Sequence, residues 1–345
     1  MTVADRPVAA NGCVPPEDWP ALALLTVHGD HSSGFLTFNR EMRHFRSAGC
    51  EGLVAYRPMG RRHLVQLCGP ISAPEHREAV LDEFLEWAAA QRRRVAAVQL
   101  RPVDAGLYAR RGFSVNQLGC SYSIDLERFS LRGTRFMKVR NKIARARRLG
   151  VTVEEVPDGD SAPELDAIDA DWLRGKGRHA NELEFLIGER GGRGASQRRI
   201  FLARLDGRPL AYVTYSPVFG SEAPGWLYDL TRRTRDAPPG IIELLFVSAL
   251  ERVRDEGVRW LHLGLTPFVG LDGRHRVASA ESRVVSAFLH QLAERGRLLY
   301  SARTQEAAKL KWAPHRIEPE YVAFQRGPSL SAVVGLMRLT RSLPF

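Results

Sequence analysis

Apolar residues in the first half of the chain alternate between strand-like runs and helix-like spacing. The strands predicted from these runs cover residues 52–58, 63–68, 95–100 and 121–126, and a turn at residues 59–62 joins the first two. A 3.6-residue period predicts a long helix over residues 75–93, and a short helix is expected over residues 107–113, ending at Gly112. The pattern indicates a mixed α/β fold.

The second half of the chain repeats this order. Asp206-Gly207 between two apolar runs is a strong hairpin signal, and Pro238-Pro239-Gly240 opens a helix that Gly257 ends. The predicted strands are 199–205, 209–216, 225–230, 258–265 and 321–325, and the predicted helices are 164–173, 241–256 and 282–296. Since both halves give hairpin, strand, helix and strand, we predict an internal duplication of one α/β module.

A segment between the two halves combines helical order with unbalanced charge. It contains eight cations and no acid: Arg132, Arg135, Lys138, Arg140, Lys142, Arg145, Arg147 and Arg148. Apolar residues recur every three or four positions, at Phe136, Val139, Ile143, Ala146 and Leu149, and Gly150 stands where a helix would end. We predict a basic helix that presents its charge to nucleic acid or to an anionic membrane; a solvated surface helix is the alternative.

Composition narrows the class of protein. The 345 residues have a net charge of +11, with 44% hydrophobic and 26% charged residues, which is typical of a globular protein of about two domains. No apolar run is long enough for a transmembrane segment, and the start has no secretory signal, so a cytoplasmic location is expected. The cysteines (Cys13, Cys50, Cys68 and Cys120) have no paired spacing, which argues against a metal site.

Candidate catalytic residues lie near the strand that is predicted to end at residue 230. Asp229 and Arg232 stand where ligands usually bind in α/β sheets, and they suit an ammonium and an anionic oxygen; a surface ion pair is the alternative. Glu243 lies in an apolar context, either as a buried base or as an acid that complements the helix dipole. Lys309 and Lys311 flank an aromatic position and suit phosphates, or else form an ordinary strand edge.

Other catalytic patterns give weak signals. The sequence contains no Walker loop, no GxGxxG motif and no defensible Ser-His-Asp arrangement. His262 alternates with apolar residues, which favours a hydrogen-bonded core histidine over a base.

Several segments, in order, resemble the C-terminal domain of the lysylphosphatidylglycerol synthase (multiple peptide resistance factor) family. They are Lys138 to Gly150, Asp171-Trp172-Leu173, Tyr228-Asp229-Leu230-Thr231-Arg232, Gly240 to Val247, Leu263-Gly264-Leu265-Thr266-Pro267 and Lys309-Leu310-Lys311-Trp312-Ala313-Pro314 with Tyr321. The resemblance extends over about residues 35–324. It implies an α/β (α+β) fold of tandem GNAT-like (acetyltransferase-like) domains joined by the basic helix. The expected N-terminal GNAT-like domain covers residues 20–130, and the basic linker helix covers 131–150. The C-terminal GNAT-like catalytic domain covers residues 151–328, and an amphipathic tail follows at 329–345.

Departures from the family point to one branch of it. The family tends to have Asp-Leu-Met-Arg, Met-Asp and Lys-Glu-Lys-Phe, where this chain has Asp229-Leu230-Thr231-Arg232, Ile242-Glu243 and Lys309-Leu310-Lys311-Trp312. The multi-span flippase region that usually precedes this domain is also not found. The chain is therefore similar to stand-alone members such as the seryl-tRNA-dependent transferase of the valanimycin antibiotic pathway.

The resemblance implies an aminoacyltransferase that moves an amino acid, with serine expected, from charged tRNA to a small amine or hydroxylamine. The aminoacyl ester is already activated, so no cofactor or metal is expected beside this co-substrate. Asp229 would hold the α-ammonium, Arg232 the acceptor or a phosphate, and Glu243 would be the general base. Lys309 and Lys311 would bind the tRNA 3′ end, and the basic helix, through Arg135, Lys138, Lys142 and Arg145, its acceptor stem.

Three alternatives remain open at this point. Phosphatidylglycerol could be the acceptor, with the tail as an amphipathic helix at an anionic membrane, although a tail packed on the fold is favoured. The chain could instead be a nucleic-acid-binding module without catalysis. A coenzyme A acetyltransferase is disfavoured because Arg235-Asp236-Ala237-Pro238-Pro239-Gly240 is a poor pyrophosphate loop.

Overall fold

A computed structural model describes residues 18–176, 185–295 and 302–339 of the chain. Its strands are β1 (Arg43–Arg46), β2 (Gly52–Met59), β3 (His63–Ser72), β4 (Arg94–Leu100), β5 (Phe113–Asp125), β6 (Thr152–Val156), β7 (Arg199–Leu205), β8 (Arg208–Val218), β9 (Gly225–Arg233), β10 (Trp260–Pro267) and β11 (Arg316–Gln325). Its α-helices are α1 (Trp19–His28), α2 (Arg77–Ala90), α3 (Pro102–Arg110), α4 (Met137–Arg148), α5 (Asp158–Lys176), α6 (Ile241–Asp255), α7 (Arg283–Arg295), α8 (Ala302–Leu310) and α9 (Leu330–Leu339).

All eleven strands form one continuous sheet in the order β1-β2-β3-β4-β11-β5-β10-β9-β8-β7-β6. Each half contains antiparallel strands followed by a helix and a parallel strand: β4 runs parallel to β3 after α2, and β10 runs parallel to β9 after α6. The halves meet where β5 pairs with β10, and β11 lies between β4 and β5. The predicted mixed α/β class with GNAT-like halves is confirmed, while the residue boundaries of the two domains stay a prediction.

Two large hydrophobic clusters hold the helices on this sheet. In the second half, α6 is buried around most of its circumference, and Leu244, Phe246 and Leu250 belong to a cluster that also contains residues of β8, β9 and β10. In the first half, Phe84 of α2 and Tyr108 of α3 are fully buried over β4 and β5. Burial of a large apolar side chain contributes about 1.5–3 kcal/mol, so these faces fix both helices on the sheet.

The predicted order of elements is largely observed, with differences at ends and in short elements. The short helix expected over residues 107–113 covers Pro102–Arg110 instead, because Pro102 occupies its first turn and the Asp104 carboxylate accepts a hydrogen bond of 3.3 Å from the backbone N–H of Arg101. Strand β5 begins eight residues before the predicted one. The elements not predicted are α1, β1, β6 and α8, and the expected strand edge at Lys309 is wrong because Lys309 lies in α8.

The basic helix is α4. Val139, Ile143 and Ala146 are buried, as the apolar stripe predicted, and Gly150 adopts a positive φ of 88°. Leu149 differs from the prediction, since it follows the last helical turn and is 47% exposed. The helix lies directly on the start of α6, where a Cβ on Gly240 would be 2.1 Å from the carbonyl oxygen of Lys142. Absence of a side chain at Gly240 therefore permits the contact between α4 and α6.

The tail forms α9 over its described part. Ala332 is buried, and Gly335 lies against the side chain of Met59 in β2, so the helix packs on the sheet. The amphipathic tail predicted from the sequence would place Arg338 and Arg341 on its polar side; Arg338 is exposed, and Arg341 lies outside the described residues. Among the residues that the structure describes, no helix combines the length and the apolar character needed to cross a membrane.

Candidate active site

A β-bulge in β9 places Asp229. Tyr228 pairs with Tyr215 of β8, and Leu230 pairs with the adjacent Thr214, so Asp229 is an extra residue with no partner in the register. The hydroxyl of Thr214 accepts a hydrogen bond of 3.2 Å from the backbone N–H of Leu230 and completes the interrupted ladder. Such bulges re-aim side chains and are frequent beside active sites. Asp229 and Arg232 are therefore inside a strand, and not at its end as the sequence suggested.

The bulge also changes which faces the flanking residues occupy. Residues two apart in a regular strand share a face, yet Tyr228 contacts the ring of Phe246 in α6, while Leu230 packs against a cluster that contains Leu165 and Ile168 of α5. The bulge at Asp229 therefore directs the side chain before it toward α6 and the side chain after it toward α5.

The carboxylate of Asp229 is held by two donors. It accepts a hydrogen bond of 2.5 Å from the Ser216 hydroxyl and another of 2.5 Å from the backbone N–H of Gly188. A Cβ on Gly188 would lie 1.8 Å from this carboxylate, so the backbone approaches it closely. Burial raises the pKa of Asp229, and the charge of Arg198 and the two hydrogen bonds act in the opposite direction.

Arg232 is the second sequence-predicted residue, and its side chain is buried. Its guanidinium forms an ion pair of 3.0 Å with Asp169 of α5 and lies 4.8 Å over the ring of Trp172. Asp169 also accepts a 2.5 Å hydrogen bond from the Tyr212 hydroxyl and one of 3.3 Å from Arg190. Arg232 is therefore fixed in orientation by a network that reaches two strands and a helix.

Arg232 and Asp169 open into a cavity of about 430 Å³. Its other walls come from the first half, through residues 39–42 and Arg57, and from residues 187–190 of the second half. Asp229 lies directly behind the wall, at Gly188. The size is within the range of small-molecule sites, which makes this cavity the candidate substrate site.

Glu243 belongs to a different network. Its carboxylate is buried at the start of α6 and accepts hydrogen bonds from Lys142 of α4 at 2.9 Å and from Lys311 at 3.2 Å. Burial acts to raise the pKa of Glu243, but the two ammonium groups more than offset it, and the pKa is lowered. Glu243 thus connects the basic helix to Lys311, beside Trp312, which stacks on Phe246 at 4.0 Å.

Lys309 and Lys311 have unlike environments. Lys311 lies 5.1 Å from the Trp312 ring and remains partly exposed. Lys309 donates hydrogen bonds of 2.9 Å to the carbonyl groups of Gly264 and Leu265, and burial lowers its pKa to about 7. An ammonium that is buried and held by carbonyl groups is a poor phosphate ligand, so Lys311 is the better placed of the two.

Two further titratable side chains are buried in the neighbouring strands β11 and β10. Glu320 in β11 is buried, and its carboxylate lies 3.8 Å from Nε2 of His31. Burial raises the pKa of Glu320 to about 7, although the Ser121 hydroxyl and the charge of Lys309 act in the opposite direction. His262 receives a hydrogen bond from Ser123 and donates to the Ala223 carbonyl, and burial lowers its pKa to about 4. The prediction that His262 is a satisfied core histidine is confirmed.

All eight cations of the basic segment are exposed. Arg140 bonds to nearby carbonyl groups, Lys142 pairs with Glu243, and Arg147 lies 3.9 Å from Glu251. In the part of the chain that is described, the remaining five have no ion pair: Arg132, Arg135, Lys138, Arg145 and Arg148. Helix α4 and the segment just before it therefore have uncompensated positive charge.

Sequence reasoning missed the acidic partner of Arg232 and most of the cavity wall. Asp169 and Trp172 are three residues apart on α5, a spacing that places two side chains side by side on a helix and could have indicated the pair. Arg40 and Glu189, which meet in the wall, are 149 residues apart in the chain, and no local pattern connects them.

A family model for the C-terminal domain of phosphatidylglycerol lysyltransferase matches residues 22–324. The chain belongs to this family. A phosphatidylglycerol lysyltransferase of Bacillus subtilis is 26% identical over 319 residues, which are 91% of this chain and 36% of that protein. The chain thus spans little more than a third of the length of this relative.

Solved structures of the family share the fold. The structure of L-PGS from Bacillus licheniformis has a TM-score of 0.75 at 22% identity and covers 95% of this chain and 98% of its own. The C-terminal domain of a putative lysylphosphatidylglycerol synthetase from Agrobacterium fabrum has a TM-score of 0.74 at 24% identity, with coverage of 92% and 94%. The resemblance that the sequence motifs indicated is therefore confirmed.

Proposed function

We propose that this chain transfers an amino acid from charged tRNA to a small amine or hydroxylamine bound in the cavity. The observation that carries the proposal is the exposed cationic face of α4, which Glu243 connects to Lys311. Membership of a family whose relatives are called phosphatidylglycerol lysyltransferases supports aminoacyl transfer. Serine as the amino acid and antibiotic biosynthesis as the setting are part of the proposal and rest on the sequence resemblance.

Charged tRNA would bind along the basic helix. Arg135, Lys138 and Arg145 would contact phosphates of the acceptor stem, and Lys142 and Lys311 would follow toward the 3′ end. Phosphate contacts of this kind give affinity that does not depend on base sequence and falls with salt. Glu243 acts here as a positioning residue, because it holds both lysines beside the Trp312 ring.

The chemistry needs little beyond placement of two reactants. The acceptor nitrogen attacks the ester carbonyl, a bond from carbon to the ribose oxygen breaks, and the ribose hydroxyl leaves with the proton lost by nitrogen. Arg232 faces the cavity as a fixed cation and would stabilise the oxyanion or orient the acceptor. The negative charge of Asp229, directly behind Gly188, would attract the α-ammonium of the aminoacyl group and position that wall.

Proton removal is better assigned to Glu189 than to Glu243. Glu189 lines the cavity, and burial raises its pKa, although the backbone N–H of Arg40 donates to it at 2.8 Å. A carboxylate with a raised pKa is a stronger base than one held by two ammonium groups. We therefore propose Glu189 as the base wherever the acceptor requires one.

The test offers purified protein a total pool of tRNA charged with radiolabelled amino acids. One reaction contains hydroxylamine-type acceptors, and another contains phosphatidylglycerol vesicles. Label in a small water-soluble product supports the proposal and identifies the amino acid. Label that stays on tRNA in both reactions would contradict it and favour the binding module without catalysis.

Phosphatidylglycerol as acceptor is the second candidate, and the names of the relatives favour it. On this account, label would enter the lipid phase of the vesicle reaction. The packing of α9 on the sheet through Ala332 and Gly335 leaves less apolar surface on the tail for a membrane. We therefore rank the small acceptor first.

A further inference from the structure

We propose that the acceptor carries a carboxylate and that Arg40 binds this carboxylate in the cavity; this inference rests on the proposed function. The cavity wall contains four guanidinium groups and three carboxylates. Arg57 pairs with Glu41, and Arg190 and Arg232 both contact Asp169. Within the described residues, the exposed guanidinium of Arg40 has neither an ion pair nor a hydrogen bond, although its charge acts to lower the pKa of the nearby Glu189. Arg190 also pairs with Asp166, so among the described residues Arg40 is the guanidinium of this wall without an ion pair.

The segment that carries Arg40 is held in place by the other half of the chain. The backbone N–H of Arg40 donates to Glu189, and the side-chain amide of Asn39 donates to the Ile187 carbonyl at 2.9 Å. Arg198 donates to the Asn39 side chain at 3.0 Å, and Arg193 donates to the Met42 carbonyl at 2.7 Å. These bonds fix the backbone of residues 39–42 and leave the guanidinium of Arg40 available to a ligand. Because the backbone is already ordered, ligand binding costs less conformational entropy.

The walls favour a small polar molecule over a lipid. Seven of the thirteen lining residues are charged, and the apolar ones are Met42, Phe185, Ile187 and Leu230. A diacyl lipid needs a continuous apolar surface for its chains, because burying hydrocarbon against charged groups leaves them poorly solvated. A phosphate of a lipid headgroup would satisfy Arg40 equally well, so the test must separate it from a free carboxylate.

The experiment compares two isosteric nucleophiles that differ in charge. Aminooxyacetate carries a carboxylate, and 2-(aminooxy)acetamide is its neutral amide; both attack the ester through the same aminooxy nitrogen, which loses a proton as the ribose hydroxyl leaves. We expect wild-type protein to use aminooxyacetate about tenfold more efficiently or better, which is the discrimination a charge-assisted Arg–carboxylate bond provides. Phosphatidylglycerol vesicles form a third reaction.

Variants at Arg40 test whether this residue causes the preference for aminooxyacetate. Arg40→Gln should remove the preference through a raised KM for aminooxyacetate, with the KM for charged tRNA unchanged, and Arg40→Lys should retain part of it. Arg46→Gln is the matched control, since Arg46 is exposed in the neighbouring strand β1 and does not line the cavity. Equal use of the two nucleophiles, a preference that survives Arg40→Gln, or transfer to lipid alone would each overturn the inference.

A binding measurement keeps this test separate from that of the proposed function. If no acceptor receives label, the transfer proposal fails, and calorimetric titration of aminooxyacetate into the protein alone still tests the carboxylate site. Binding that wild-type and Arg46→Gln proteins share and Arg40→Gln loses would support the site. Absence of binding at millimolar aminooxyacetate, or binding that Arg40→Gln leaves intact, would overturn it.

Discussion

At the scale of single residues, the environment of each carboxyl group decides its role. Glu189 lines the cavity and Glu243 lies at the start of α6; burial raises the pKa of the first, while two lysines lower that of the second. The sequence identified Glu243 from its apolar neighbours in α6. It could not identify the two lysines as partners, because Lys142 and Lys311 are 101 and 68 residues away in the chain.

The pH dependence of transfer separates these two acids. If Glu189 is the base, kcat should fall as the pH drops through its raised pKa, at a higher pH than for an ordinary carboxyl group. Glu189→Gln should remove this acidic limb of the kcat–pH profile and lower kcat by roughly 10²-fold. Glu243→Gln should keep the limb and raise the KM for charged tRNA, because Lys142 and Lys311 lose their shared partner. Profiles of kcat against pH decide the matter: a limb lost only in Glu243→Gln would restore the sequence-based assignment.

Glu320 gives a prediction about stability. Its pKa of about 7 in the fold exceeds its ordinary value of 4.5, so the folded protein binds the extra proton between these pH values, and stability falls as pH rises through this window. Glu320→Gln should remove this fall and stabilise the protein by about 1–3 kcal/mol at pH 8, with little change at pH 5.

Denaturant unfolding at pH 5 and pH 8 measures this effect. Glu51→Gln is the control, since Glu51 is exposed and, within the described residues, takes part in no ion pair. A Glu320→Gln protein that unfolds more easily at pH 8 than the wild type would show that the carboxylate has a stabilising partner.

At the scale of secondary-structure elements, hydrophobic spacing predicted most of the long helices and strands. It succeeded for α4 because the helix buries one apolar face, and for α6 because the helix is apolar and buried along most of its length. It failed for β1 and β6, whose residues are mostly exposed and give no alternation of buried and exposed positions. The bulge at Asp229 was also beyond the sequence, because it depends on the pairing of β9 with β8.

The contact between α4 and α6 should depend on Gly240. Alanine there would have a φ of 94° and a Cβ 2.1 Å from the Lys142 carbonyl oxygen, so Gly240→Ala should destabilise the protein by about 2–5 kcal/mol and weaken tRNA binding. Gly257→Ala, just beyond the other end of α6, has a φ of 79° but no atom within 4 Å, and should cost only about 1–2 kcal/mol. Thermal unfolding and tRNA titration of both variants test this; equal losses would mean that the contact is unimportant.

At the scale of the whole molecule, one sheet joins two GNAT-like halves, and the cavity uses both. The duplication was visible in the sequence because each half repeats the same order of elements. The location of the cavity was not, because residues 39–42 and 187–190 meet only after β5 and β10 pair and the halves come together. The basic helix follows β5 and lies against α6, so its charge flanks the second half.

Loss of single cations on α4 should weaken tRNA binding in steps. Lys138→Gln and Arg145→Gln should each lower affinity for all tRNAs alike and reduce the slope of log affinity against log salt by about 1. Arg46→Gln changes the net charge equally and lies on β1, away from α4, so it should leave the slope unchanged. An identical effect of all three would indicate that only net charge matters.

The most direct test of charged tRNA as the co-substrate is the rate of label transfer from subsaturating charged tRNA to the small acceptor at 50 mM and at 200 mM salt. Five uncompensated cations on the basic segment that meet phosphates should make the rate fall by roughly 10²–10³-fold between these concentrations. A rate that is the same at both concentrations would contradict the assignment of α4 as the tRNA-binding element and, with it, the proposed use of charged tRNA.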